Sequence, residues 1–272
     1  MNKIWIAFFV GLEDYTVNER GDVGSWVRSA CIQGLCSIIQ TFIISTRSPE
    51  PIWAMNYVTF SQYVPLDTYH KAIGMILKQG VERLDNVRQC VGRLFPLLLA
   101  LDPPSFEHGA EWCIRGRDFF SKLLENSESA GWNDGAWLYP KAVRFLEIRE
   151  YRDPILRGLL LSVGSKTSST VSQFPKSSRR LFISFQQQLA SSAMLTYARE
   201  LPLASNQDRV FNEDADGTID VYTLVSDILA IACENPKLNN TVVPALHLFN
   251  IMLEGGVFST PEEQAGEPIL DL

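Results

Sequence analysis

"GDVGSWVRSACIQGLCSIIQTF", residues 21–42, sets a chain reversal directly against a long apolar run. Gly21 and Gly24 suit a turn, because glycine adopts left-handed backbone angles at little cost. Asp22 or Ser25 can accept hydrogen bonds from the free N–H groups of a helix's first turn. Beyond them Trp26, Val27, Ala30, Cys31, Gly34, Leu35, Ile38, Ile39 and Phe42 recur at helical spacing, with Arg28 and Gln33 on the other side. The stretch reads as a turn followed by the start of a long amphipathic helix.

The same period recurs along the chain. It predicts helices over 2–13, 24–46, 67–81, 84–101, 116–126, 137–148, 150–163, 178–199, 219–234 and 239–254. The clearest is "NVRQCVGRLFPLLLAL", where Val87, Cys90, Val91, Leu94, Phe95 and Leu98 share one side and Pro96 should kink the helix or set its final turns apart. Alternating strand-like runs with Asn-Gly or Asp-Gly turns are absent, so the class is all-α. Three stretches interrupt the helices: a proline-marked connection at 47–66, "DPPSFEHG" opening 102–115, and the polar, acidic 200–218. None is a long flexible linker. The expected organisation is one helical array over 1–199, an acidic loop or insertion at 200–218, a final helical pair at 219–256 and a polar tail at 257–272.

With 272 residues, 46% hydrophobic and 20% charged, the chain can bury a sizeable core. Its net charge of −7 argues against broad nucleic-acid binding, which needs a positive surface. Residues 200–272 carry a net −11, which leaves +4 over 1–199. That suits an acidic solvated region or, more sharply, a patch meeting a basic partner. The five cysteines, Cys31, Cys36, Cys90, Cys113 and Cys233, form no CxxC pair. Cys31, Cys90 and Cys233 lie in apolar helical runs, which suggests core thiols in a reducing compartment. The apolar run after Lys3 is followed by Glu13, Asp14 and Tyr15 rather than a small-residue cleavage site, and it is too short to span a bilayer. It reads as a buried helix, and no membrane span is expected elsewhere.

Motifs with chemical meaning fail on inspection. "NEDADGTIDVYT", 212–223, places Asn212, Asp214, Asp216, Gly217, Ile219 and Asp220 at calcium-loop positions, but Thr223 stands where a bidentate Glu is needed. An acidic loop capping the helix from Ile219 is the better reading. "GSKT", 164–167, separates Gly164 from Lys166 and has Leu159 where a phosphate loop needs glycine. Arg20-Gly21-Asp22 spells an adhesion tripeptide by coincidence. His70, His108 and His247 are isolated and read as surface or helix-flank residues, and no nucleophile elbow or HExxH occurs. No catalytic, cofactor-binding or metal site is expected, and the chain is read as a non-enzyme.

Asp22 precedes Val27 and Arg28 by five and six residues, and Glu82 precedes Val87 and Arg88 in the same way. This spacing resembles the HEAT repeat, in which helical pairs stack into a solenoid. There the Asp satisfies backbone donors at the turn and the Arg pairs with a nearby acidic group. Asp22, Val27, Arg28, Val87 and Arg88 are thus read as structural, within an all-α, HEAT/armadillo-like helical solenoid. "YTVNERGDVGSWVRSACI" further resembles a segment of the tubulin-folding cofactor D family, in its C-terminal region. "VERLDNVRQCVGRLFPLLLALDPPS", "YPKAVRFLEIREYRDPILRGLLLSVGSKTSSTV" and "TVVPALHLFNIMLEGGVFS" are similar to later family blocks in the same order.

The resemblance implies a non-catalytic chaperone of the cytoplasm and cytoskeleton that binds β-tubulin during αβ-tubulin assembly. It implies work alongside cofactors C and E and an Arf-like small GTPase, with activation of tubulin's GTP hydrolysis. Family chains are several times longer, so this one is expected to be a partial chain. An exposed apolar face is expected near Ile4, Ile6, Phe8 and Phe9, where a preceding helix would pack. The alternatives are a general HEAT-repeat scaffold with a non-tubulin partner and a calcium-regulated binding module.

Overall fold

Apolar side chains at three- and four-residue spacing can be buried together only if the backbone is helical, and nearly every segment obeys this. The computed structural model describes residues 1–19, 21–47, 56–125, 129–164, 179–203 and 219–259. Among them are eleven α-helices: α1 (Asn2–Leu12), α2 (Gly24–Ser45), α3 (Tyr57–Tyr63), α4 (Leu66–Gly80), α5 (Asp85–Leu99), α6 (Arg117–Leu123), α7 (Gly135–Ala142), α8 (Arg149–Val163), α9 (Arg179–Glu200), α10 (Val221–Glu234) and α11 (Asn239–Glu254). Short 3-10 turns cover Gly109–Trp112, Ser129–Asn133 and Val143–Glu147. The described β-structure is one pair of two-residue strands, Val17–Asn18 against Gly21–Asp22.

The helices stack in two layers. In one, α1 packs on α4 and α4 on α8; in the other, α2 packs on α5, the Ser129–Asn133 turn links α5 to α7, and α7 packs on α9. Pairs α1–α2, α4–α5 and α8–α9 join the layers, and the α10–α11 hairpin covers the far end against α8 and α9. The result is an all-α helical solenoid. Its core runs unbroken between the layers, with Trp5, Ile32, Phe60, Ile73, Phe95, Trp132, Phe145, Leu159 and Leu248 fully buried. Each such side chain contributes about 1.5–3 kcal/mol relative to exposure. Helices α4 and α8 cross backbone to backbone, and a Cβ on Gly158 would lie 2.4 Å from the Lys78 carbonyl oxygen. Only glycine allows that approach.

Several starts follow from local chemistry. Asn56 accepts the Thr59 N–H at 2.9 Å, Asp134 that of Ala136 at 2.9 Å and Asp220 that of Thr223 at 2.6 Å. Helix α3 therefore forms inside 47–66, where only a connection is expected from sequence. The segment 137–148 divides into α7 and a 3-10 turn after Pro140, and α5 runs through Pro96 to Leu99.

The buried face of α2 differs from the sequence reading. It comprises Arg28, Cys31, Ile32, Leu35, Cys36, Ile39 and Ile43, whereas Trp26 and Val27 are exposed. Assigning the arginine outward rotates the face by about one residue, or roughly 100°. By length and hydropathy α2 could cross a bilayer, yet its buried face lies against α1, α4 and α5. On α1, Ile4 and Ile6 are exposed as expected, but Phe8 lies over Gly34 and Phe9 packs by Trp5, so both are half-buried.

Candidate partner-binding surface

The layers meet solvent along two edges made of inter-helix turns. On the first edge lie 13–19 with 21–23, 81–84 and 132–134. Asp22 accepts the Ser25 N–H at 3.0 Å and fixes the start of α2. One turn later Arg28 reaches back beneath it. Its Nη1 donates to the Asp14 carbonyl at 2.5 Å, and its Nη2 donates to Asp22 Oδ2 at 3.2 Å and Glu82 Oε1 at 3.0 Å. The Arg28 and Glu82 side chains are almost wholly buried. Burial opposes the Arg28 charge, but the Glu82 and Asp22 carboxylates outweigh it and raise its pKa. Burial also pushes the Glu82 carboxyl up, against the pull of Arg28.

Glu82 then passes the ladder on through its backbone. Its carbonyl accepts Arg88 Nη1 at 2.8 Å, while Arg88 Nε donates to the Trp132 carbonyl at 3.0 Å and Nη2 to that of Asn133 at 3.2 Å. Three successive turns are thereby joined by two buried guanidiniums. Beside them Lys78 Nζ pairs with Glu13 at 2.5 Å, Gln79 Nε2 donates to the Leu12 carbonyl at 2.9 Å, and the Arg28 guanidinium lies 4.3 Å from the centre of the Tyr15 ring. The outer rim carries Trp26, Val17 and the half-exposed Arg83, whose guanidinium is 4.0 Å from Asp22.

The second edge, 46–47 and 56–66 with 100–116, has a different chemistry. Trp5 Nε1 donates to the Tyr63 carbonyl at 2.9 Å and Trp112 Nε1 to that of Val64 at 3.0 Å. Ser105 Oγ donates to the Thr46 carbonyl at 2.6 Å. Tyr57, Phe60, Phe106 and Trp112 form an edge-to-face cluster with centroids 5.3 to 6.0 Å apart.

No group of metal-ligating side chains occurs among the described residues. A cavity of about 810 Å³ lies between α5 and α6 and is lined by Pro96, Leu99, Cys113, Arg117, Phe119 and Leu124.

The family model described as "Tubulin folding cofactor D C terminal" matches residues 70–272. The chain belongs to this family. It is also similar to the tubulin-specific chaperone D of Dictyostelium discoideum, 23% identical over 190 residues. That match covers 67% of this chain and 12% of the relative, so the chain spans about an eighth of the relative's length. No solved structure matches.

Within this cofactor D C-terminal region lie Glu82, Val87 and Arg88; Asp22, Val27 and Arg28 precede the matched stretch. The structure brings Asp22, Arg28, Glu82 and Arg88 into one ladder and buries Val87, but leaves Val27 at 41% exposure beside Gly11. The rest of the hub, Glu13, Tyr15, Lys78 and Gln79, escapes sequence reasoning because no short-range pattern marks a pair 65 residues apart. Of the expected core thiols, Cys31 and Cys90 are buried but Cys233 is exposed on α10; Cys36, not singled out, is buried and its thiol is pushed up to about 12. Asp220 is occupied as a helix cap, and the calcium-like positions Asn212 to Gly217, like Ser165 to Thr167, lie outside the described residues. His108 and His247 are exposed, whereas His70 lies half-buried on the flank of α4 and is bonded at both ring nitrogens.

Proposed function

We propose that this chain is a non-catalytic chaperone scaffold that binds β-tubulin in the cytoplasm during assembly of the αβ-tubulin dimer. The observation that carries the reading is the cofactor D family match over residues 70–272. The named relative is a tubulin-specific chaperone, and a solenoid with HEAT-like turns offers long surfaces for a partner. On this reading the chain works with cofactors C and E and an Arf-like small GTPase, and the assembly stimulates GTP hydrolysis by tubulin while the chain supplies no hydrolytic group. The array over 1–199, the pair at 219–256 and the structural role of Asp22, Val27, Arg28, Val87 and Arg88 belong to the same proposal.

The test is binding of the purified 272-residue chain to purified tubulin, followed by single-turnover GTP hydrolysis with and without cofactors C and E. Saturable binding is expected, with faster hydrolysis only when all components are present. No binding, in a chain whose circular dichroism and melting show it folded, would overturn tubulin as the partner and favour a HEAT-type scaffold for another protein. Trp26→Ala is the first surface variant to compare, because Trp26 is the largest exposed apolar side chain on the ladder edge.

A further inference from the structure

The segment 109–116 on the second edge is anchored by the buried Trp112 and Ile114, and His70 adds a separate polar tie at Glu111 and, through Tyr151, at Arg115. His70 Nε2 lies 3.0 Å from the Glu111 carbonyl, which can only accept, so Nε2 carries the proton. Nδ1 is then an acceptor, and it lies 2.9 Å from the Tyr151 hydroxyl, which must donate. The same hydroxyl oxygen accepts the Arg115 N–H at 3.2 Å. Every proton in this relay has one assigned place, and the arrangement requires a neutral imidazole.

The segment so held is pressed closely on the protein. Gly116 has φ +67°, and a Cβ there would lie 2.3 Å from Ile148 Cδ1 at the start of α8. Cys113, Gly116, Arg117 and Phe119 then form one wall of the 810 Å³ cavity, against Pro96 and Leu99 of α5. The relay, at Glu111 and Arg115, thus sits directly beside that wall.

We propose that the His70–Tyr151–Arg115 relay is a proton-operated latch, which holds the backbone at Arg115, beside the cavity wall, while His70 is neutral and loosens it when His70 is protonated. A second proton, on Nδ1, would point at a hydroxyl already donating to that atom. Tyr151 would have to turn its own proton away, and the Arg115 tether would weaken. Asp67 and the Tyr69 ring face His70 from α4, Glu111 and Arg115 from the loop, and Glu150 and Tyr151 from α8, with Cys113 acting on Tyr69 and Tyr151. Arg115 opposes a positive imidazole and lies 3.7 Å from Glu150, which offsets it; Asp67 and Glu150 favour the charge. Burial is the largest influence and holds the ring below its ordinary pKa.

The experiment is hydrogen exchange of the Arg115 amide in the full chain, corrected for intrinsic rates, from about pH 7.5 to about pH 5. Wild-type protection should fall at least about fivefold on acidification, consistent with loss of one tethering hydrogen bond. His70→Gln keeps a neutral donor and acceptor and should hold its protection throughout. Equal loss in both proteins, or none in wild type, would overturn the latch. Nitrogen shifts of the wild-type imidazole at neutral pH provide a check that needs no variant. A proton on Nε2 is required, and a proton on Nδ1 would overturn the proposal.

Discussion

The two edges of the solenoid solve one problem in opposite ways. Each must hold successive turns in register while exposing backbone to solvent. The first edge does so with charge: Arg28 joins Asp14, Asp22 and Glu82, and Arg88 joins the Glu82, Trp132 and Asn133 carbonyls. The second uses aromatic burial and two indole N–H bonds to carbonyls. Buried ion pairs add little net stability, because desolvation offsets the attraction, but a broken one is costly. The ladder should therefore specify alignment more than it stabilises, and the aromatic edge should do the reverse.

The sharpest way to break this contrast is Arg28→Met. It leaves Glu82 buried without its cation and should cost about 3–5 kcal/mol in chemical denaturation. Adding Glu82→Leu should recover most of that loss. If the double variant is as unstable as the single one, the ladder contributes stability in its own right. Trp112→Phe on the opposite edge keeps a ring but orphans the Val64 carbonyl, so about 1–3 kcal/mol is expected. A cost for Trp112→Phe equal to that of Arg28→Met would erase the distinction between the edges.

The two edges also differ in how far the sequence discloses them. The Asp22–Arg28 spacing is local, because a cap and the side chain one turn later meet when the helix forms, and Arg88 likewise reaches back to the Glu82 carbonyl six residues before it. The layered helices are legible for the same reason. The aromatic edge is not, since Tyr57, Phe60, Phe106 and Trp112 meet across two loops and nothing in their spacing requires it. Helix α3 was hidden by the prolines around it, and the inward face of α2 by its arginine. A fully buried guanidinium looks, in a sequence, like a solvated one.

Asp22 separates the cap from the charge. Asp22→Asn retains an oxygen for the Ser25 N–H, whereas Asp22→Ala removes it, so alanine should be the less stable by about 1 kcal/mol. Equal melting temperatures would show that the carboxylate acts only through Arg28. The acid response is smaller again. The folded pKa of His70 lies below its unfolded value of about 6.5, so its contribution is full above that value and is lost as pH falls through the folded one. Asp14 is held low by hydrogen bonds from the Thr16 side chain and backbone, so its contribution persists until pH falls through a lower value still. Acid should weaken the aromatic edge before the hairpin of the ladder edge. Denaturant melts of wild type and His70→Gln across pH 7 to 4 test this, and superimposable profiles would contradict it.

Trp26→Ala carries the smallest expected effect and the most direct test of how α2 is turned. Helical spacing alone places Trp26 with Cys31 and Leu35, inside the protein. In that orientation its truncation would leave a cavity and cost about 3–5 kcal/mol. The structure leaves Trp26 65% exposed and gives the inward position to Arg28. Truncation of so exposed a side chain should then change stability by no more than about 0.5 kcal/mol. The two outcomes differ by far more than the error of a denaturation curve. A large loss would turn α2 by one residue and take Arg28 out of reach of Glu82, so a mild result at Trp26 is also a condition for the ladder.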